Sequence, residues 1–309
     1  MEPADRRSSR QVVSRGDRAP VFALGTGRCG THFLAAALAR EPEVAAHHER
    51  HPLPDSFQRW CAWYGLAVDP AGFLANKAVG IRGDRATHSV SFEASAYLTL
   101  ATPLLREAFS ARFVLLVRRP DRVVRSFLAK GWYASELQRA DPRLPAGYQP
   151  EPEHPHHPFA RLAGFGDDGA RWATLTRVGK LAYFWRRLNE LALCDFAALP
   201  DGATRVLDVE SFDYPGYKSL AEWMGFAPSL SEVDFAELAG ARLGSLSPKG
   251  GPASWTAPEI REFEAEVAPV AERLGLEWRC ARLREERPSA LAAAPRALRR
   301  LGARLLGRT

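Results

Sequence analysis

Residues 25–34 read GTGRCGTHFL and follow the apolar run Val21–Leu24. Glycines at 25, 27 and 30 let the backbone fold so that several amide N–H groups reach one point, and the first amides of a following helix carry unpaired, partly positive hydrogens. Arg28 adds a guanidinium to the middle of the loop, and Thr31 and His32 stand at the helix start. A tight strand-to-helix turn accounts for the glycines alone; it does not call for Arg28 and Thr31, and the set reads as an anion site. A second basic element ends another apolar run. FVLLV (Phe113–Val117) stops at Arg118, Arg119 and Pro120, and Ser126 lies eight residues beyond Arg118. A guanidinium offers a planar fork of donors that suits a phosphate, and a hydroxyl on the adjoining helix supplies another.

Between the first helix and the next segment lies AAHHERHPLPD. Glu49, and after it His48, are the candidates for a general base, since either accepts a proton near neutral pH when its surroundings tune it. His47, His48 and His51 also read as a metal cluster, but no matching acidic ligands accompany them and no metal is expected. Cys29, beside Arg28, is either a small filler or a thiol whose pKa positive potential lowers. Trp60, Trp63, Trp132 and Tyr133 suit either an aromatic pocket or the core.

The elements that position these groups alternate. Val21–Leu24, Phe113–Val117 and Val206–Val209 read as buried strands; Phe33, Leu34, Ala37 and Leu38 recur at helical spacing, as do the stretches Leu98–Phe109 and Leu181–Leu199. This predicts an α/β fold in three layers, a parallel sheet flanked by helices, with ligands gathered at the carboxyl ends of the strands. Residues 134–176, with PEPEHPHHP, read as a lid or binding element, or else as a disordered insertion.

Composition narrows the functions. The chain of 309 residues has 46% hydrophobic residues, enough for one main domain, assigned to 19–281. Its net charge of +6 is carried by its ends: five arginines against three acids in 1–18 and eight against two in 282–309 leave −2 between them. That balance argues against a nucleic-acid surface. The leader 1–18 is too polar to order itself, and no signal-like apolar stretch is present, which predicts a cytoplasmic protein. Four dispersed cysteines suggest neither disulfides nor zinc. In the tail 282–309, Leu298, Leu301 and Leu305 alternate with arginines, which reads either as a basic amphipathic helix in peripheral contact with an anionic membrane or as a frayed, solvated terminus, toward which its two glycines tip it.

The opening loop lacks the lysine of the nucleotide P-loop, because Gly30 is followed directly by Thr31. A P-loop kinase using ATP and magnesium is therefore the weaker alternative, alongside an inactive nucleotide-binding relative. GTGRCGTHFL instead resembles the 5′-phosphosulfate loop of the sulfotransferases, and RRPDRVVRS resembles their 3′-phosphate element. YFWRRLNELAL (183–193), VLDVESF (206–212) and SLSPKGGPASW (245–255) are similar to further segments of that family. The resemblance implies a P-loop NTPase-like fold and 3′-phosphoadenosine 5′-phosphosulfate as donor. It implies contact with that donor from Gly27, Arg28, Cys29, Gly30, Thr31, His32, Arg118, Ser126 and Lys249, and catalysis by Glu49, His48 and Arg28. The acceptor is expected to be a hydroxyl on a carbohydrate, lipid or small molecule.

Overall fold

The computed structural model describes residues 18–134, 136–137, 147–148, 159–243 and 251–285. Its centre is β1 (Val21–Gly25), buried along its whole length. Helix α1 (Thr31–Leu38) follows the loop and ends before Pro42, and β2 (Val44–His48) comes next. Helices α2 (Pro52–Trp63) and α3 (Ala71–Arg85) lead to β3 (Val90–Ala94); α4 (Thr102–Phe109) leads to β4 (Arg112–Val117) and α5 (Pro120–Ala129). The two-residue strands β5 (Glu136–Leu137) and β6 (Gly147–Tyr148) pair with each other. Then come α6 (Gly169–Thr174), α7 (Arg177–Ala197), β7 (Thr204–Asp208), α8 (Tyr214–Met224), α9 (Glu232–Leu243), α10 (Ala257–Arg273) and α11 (Cys280–Glu285).

Five strands form one parallel sheet in the order β2-β3-β1-β4-β7. Side chains alternate across a strand, so both faces of a sandwiched sheet must be apolar. Phe22, Leu24, Phe113, Leu115 and Val117 join one core with residues of α3, α5, α7 and α10. Val21, Ala23, Val114 and Leu116 join the other, under α1, α8 and α9. The expected three-layer α/β architecture is present. From β1 the chain turns toward β2, and from β3 it crosses to β4 on the other side of β1. The carboxyl end of β1 is thus the switch point at which ligands collect in such sheets.

Four expectations about elements need correction. The helix expected over Leu98–Phe109 is broken: a 3-10 turn covers Ala96–Leu98, and α4 starts only at Thr102, where Pro103 fits its first turn. The helix expected over Leu181–Leu199 starts earlier, at Arg177, capped by the Thr176 hydroxyl. The last strand starts two residues earlier and ends at Asp208. Within 134–176, Ala160, Leu162, Ala163 and Trp172 are core residues, so the stretch from 159 on is packed and not a disordered insertion; most of 135–158 lies outside the described residues. Trp132 and Tyr133 are also core, with the Tyr133 hydroxyl donating to the Leu162 carbonyl at 2.6 Å. The leader to residue 17, Lys249 and the tail from 286 lie outside the described residues.

Candidate active site

The loop after β1 is pinned from below. Thr99, fully buried, donates its hydroxyl to the Gly25 carbonyl at 2.7 Å and accepts the Gly25 amide at 3.1 Å. A Cβ on Gly25 would stand 2.4 Å from Cys29 Sγ and 2.7 Å from the Leu116 carbonyl, so the turn closes only around a glycine. Cys29 is 0% exposed and fills that space, in keeping with the small filler and not with the accessible thiol. Gly27 (φ 80°), Arg28 (φ 58°) and Gly30 (φ 98°) adopt left-handed backbone, and no side chain caps α1 at Gly30. The amides that open α1 therefore face the mouth of the loop.

Arg28 joins the two strand-end elements. Its Nε donates to Ser126 Oγ at 2.8 Å, and its carbonyl accepts Arg118 Nη1 at 3.0 Å. The terminal nitrogens of Arg28 make no hydrogen bond among the described residues. Burial and the neighbouring Arg118 both work against its charge and lower its pKa. Arg118 also donates to Glu210 at 3.2 Å, and its carbonyl accepts the Trp185 indole at 3.1 Å. Helix α7 thus anchors Arg118, and Asn189 in turn donates to the Trp185 carbonyl at 2.9 Å. Arg125 adds a further guanidinium whose pKa is lowered, first by burial. Gly251 stands against it: a Cβ there would lie 3.0 Å from Nε. The closing segment therefore reaches α5 next to Ser126.

On the β2 side, Thr31 Oγ1 and His48 Nε2 lie 3.1 Å apart, and the His32 and His48 rings stack at 5.1 Å. Desolvation, and after it His32, lower the His48 pKa to about 4, so the ring is neutral at pH 7. Glu49 has left-handed backbone (φ 49°), and its amide donates to the Ala94 carbonyl at 3.0 Å. Its carboxylate has no hydrogen bond among the described residues. Burial raises its pKa, against the pull of Arg59 and Arg28. His47 faces elsewhere, with Nε2 2.9 Å from Asp84. Among the described residues, no three His, Cys, Asp or Glu side chains gather as metal ligands.

Several contributors carried no readable signal. Thr99 sits in TLATPL and Arg59 in FQRWC, neither a recognisable motif. Arg59, 1% exposed, donates to the Ala96 and Ala160 carbonyls at 3.1 and 2.8 Å and lies over the Tyr97 ring. Glu210, which follows β7, pairs with Arg118. Two of the four non-glycine residues with positive φ among those described, Arg28 and Glu49, belong to this site. Backbone strain of this kind collects where the surroundings fix a functional side chain.

No family model matches the sequence, and no curated protein matches it. Solved structures similar to it include a sulfotransferase domain from the curacin biosynthetic pathway, at 13% identity over 84% of this chain and 98% of that one, with a TM-score of 0.47. A sulfotransferase domain from the Synechococcus PCC 7002 olefin synthase is 12% identical over 80% and 95% of the two chains (TM-score 0.38). Sulfotransferase STF9 from Mycobacterium avium is 12% identical over 85% and 78% (TM-score 0.48).

Proposed function

We propose that this chain transfers a sulfuryl group from 3′-phosphoadenosine 5′-phosphosulfate to an acceptor hydroxyl. The observation that carries the reading is the junction at Arg28. Two separately encoded strand-end elements meet there, its charge is disfavoured by burial and Arg118, and its terminal nitrogens make no hydrogen bond among the described residues. An anion at that point restores what burial takes away. The absence of a lysine after Gly30 weighs against ATP chemistry at the same loop.

The donor, when bound, supplies a sulfuryl group already attached to a leaving phosphate. The chain does the rest by position and charge. Amides of residues 27–31 and Arg28 hold the 5′ end and stabilise the charge that builds on the leaving oxygen. Arg118 and Ser126 hold the 3′-phosphate, with Lys249 the further candidate. Glu49 takes the acceptor's proton: its carboxylate makes no hydrogen bond among the described residues, and burial raises its pKa. His48 is occupied with Thr31 and is the weaker base, so its part is to orient the Thr31 hydroxyl.

The test is binding followed by turnover. Melting temperature is read with 3′-phosphoadenosine 5′-phosphate, with AMP, and with ATP and magnesium, since a ligand of the folded state raises it according to affinity. The bisphosphate alone is expected to give a large shift, and the donor to release bisphosphate slowly with water as acceptor. A shift with ATP and magnesium and none with the bisphosphate refutes the reading.

A further inference from the structure

Helix α3 contains a row of residues that donor binding and proton transfer do not use. Lys77, Gly80 and Asp84 follow one another at helical spacing and share a face. That face meets the turn at Glu49 and Arg50. Lys77, 2% exposed, donates through Nζ to Asp55 Oδ2 at 2.7 Å and to both oxygens of Glu93 at 2.8 and 3.0 Å. Glu93 Oε1 in turn accepts the Arg50 amide at 3.2 Å. Asp84 Oδ2 accepts Arg50 Nη2 at 2.6 Å and the Ser91 hydroxyl at 2.6 Å. Between them, the Arg50 guanidinium lies directly on Gly80: a Cβ there would stand 2.2 Å from Nη1 and 2.9 Å from Cζ. Arg50 is thus held at its amide and at its guanidinium, through contacts that begin on one helix face. The residue just before it is Glu49, in a backbone conformation that L-residues adopt rarely.

We propose that α3 is a positioning helix for proton transfer: Lys77, Gly80 and Asp84 clamp Arg50 and thereby fix the left-handed turn that aims the Glu49 carboxylate. The proposal rests on the reading of Glu49 as the base. A purely structural role for the same residues would tie them to stability alone. The glycines of α3 separate the two. Gly80 and Gly83 lie on the same helix, but nothing stands within 4 Å of a Cβ at Gly83. Either alanine favours the helix equally, and only Gly80→Ala displaces Arg50.

The experiment compares G80A, G83A and the unaltered full chain. In G80A the release of bisphosphate from the donor is expected to slow about ten- to a hundredfold, the loss a misplaced reacting group brings. The affinity for 3′-phosphoadenosine 5′-phosphate is expected to stay the same, and the melting temperature not to fall. The Arg50 amide, followed by hydrogen exchange, is expected to lose protection at least tenfold in G80A and in Glu93→Met. G83A is expected to match the unaltered chain in turnover, bisphosphate affinity and Arg50 exchange, with a melting temperature that, as in G80A, does not fall. Turnover and Arg50 exchange in G80A equal to those of G83A overturn the proposal. Loosened exchange in a chain that never turns over the donor instead refutes the role of Glu49 and leaves the clamp standing.

Discussion

The Lys77 cluster buries two carboxylates, Asp55 and Glu93, on one ammonium, and that imbalance has a measurable consequence. One negative charge is in excess inside the fold. Asp55 is the carboxylate that bears it: desolvation outweighs the opposing pull of Lys77, Glu93 adds repulsion, and its pKa is pushed up to about 7. Its Oδ1 is buried without a hydrogen-bond partner. In the unfolded chain this side chain titrates near 3.8 and is ionised throughout the range from pH 5 to pH 8. The folded chain binds the extra proton at pH 5 and releases it near 7, so stability is present at low pH and is lost as pH rises. At about 1.4 kcal/mol per unit over roughly two units, the loss is about 3 kcal/mol. Asp55→Asn removes that slope. Asparagine still offers Lys77 an oxygen, and any cost of its buried amide is the same at both pH values and cancels in the difference. The assay is thermal unfolding of both proteins at pH 5 and pH 8. Relative to the unaltered chain, the variant should gain about 5 °C on going from pH 5 to pH 8, given the unfolding entropy of a chain this long. A difference that stays flat between the two pH values refutes the reasoning, because Lys77 would then carry both carboxylates ionised.

Other perturbations address the site itself. Glu49→Gln should lower donor turnover about a hundredfold or more while bisphosphate affinity holds, and should abolish the acid limb of the pH–rate profile, which is expected above the ordinary 4.5 of a glutamate. His48→Asn should keep that limb; a limb near 4 that disappears with His48 would reverse the two roles. Arg118→Ala removes a guanidinium that also holds the Arg28 carbonyl, and bisphosphate affinity should fall roughly tenfold or more, read by calorimetry; unchanged affinity takes Arg118 out of the site. Among the cysteines, an alkylating reagent followed by mass spectrometry should modify exposed Cys194 and leave buried Cys29 unmodified in the folded protein. Rapid labelling of Cys29 would mean that the loop opens in solution.

What the sequence disclosed, and what it hid, follows from where the polar groups went. The strand–loop–helix over 21–38 and the β4–α5 element were readable because β1 and β4 are buried on both faces and contain little but apolar residues. Their glycines and arginines therefore stood out. Strands β2 (VAAHH) and β3 (VSFEA) went unread, since the residues that break their apolar pattern are those the site uses: His48 on Thr31, Ser91 on Asp84 and Glu93 on Lys77. Helix α3 was hidden for a related reason. AGFLANKAVGIRGDR has three glycines and turns a lysine and an aspartate inward, against both propensity and the usual placement of charge. In that region local pattern and tertiary role disagree, and the disagreement is itself informative. A buried lysine, a buried aspartate and a glycine on one helical face cost stability unless something specific meets them. Here Asp84 and Gly80 meet Arg50 directly, and Lys77 meets Asp55 and Glu93, the second of which accepts the Arg50 amide.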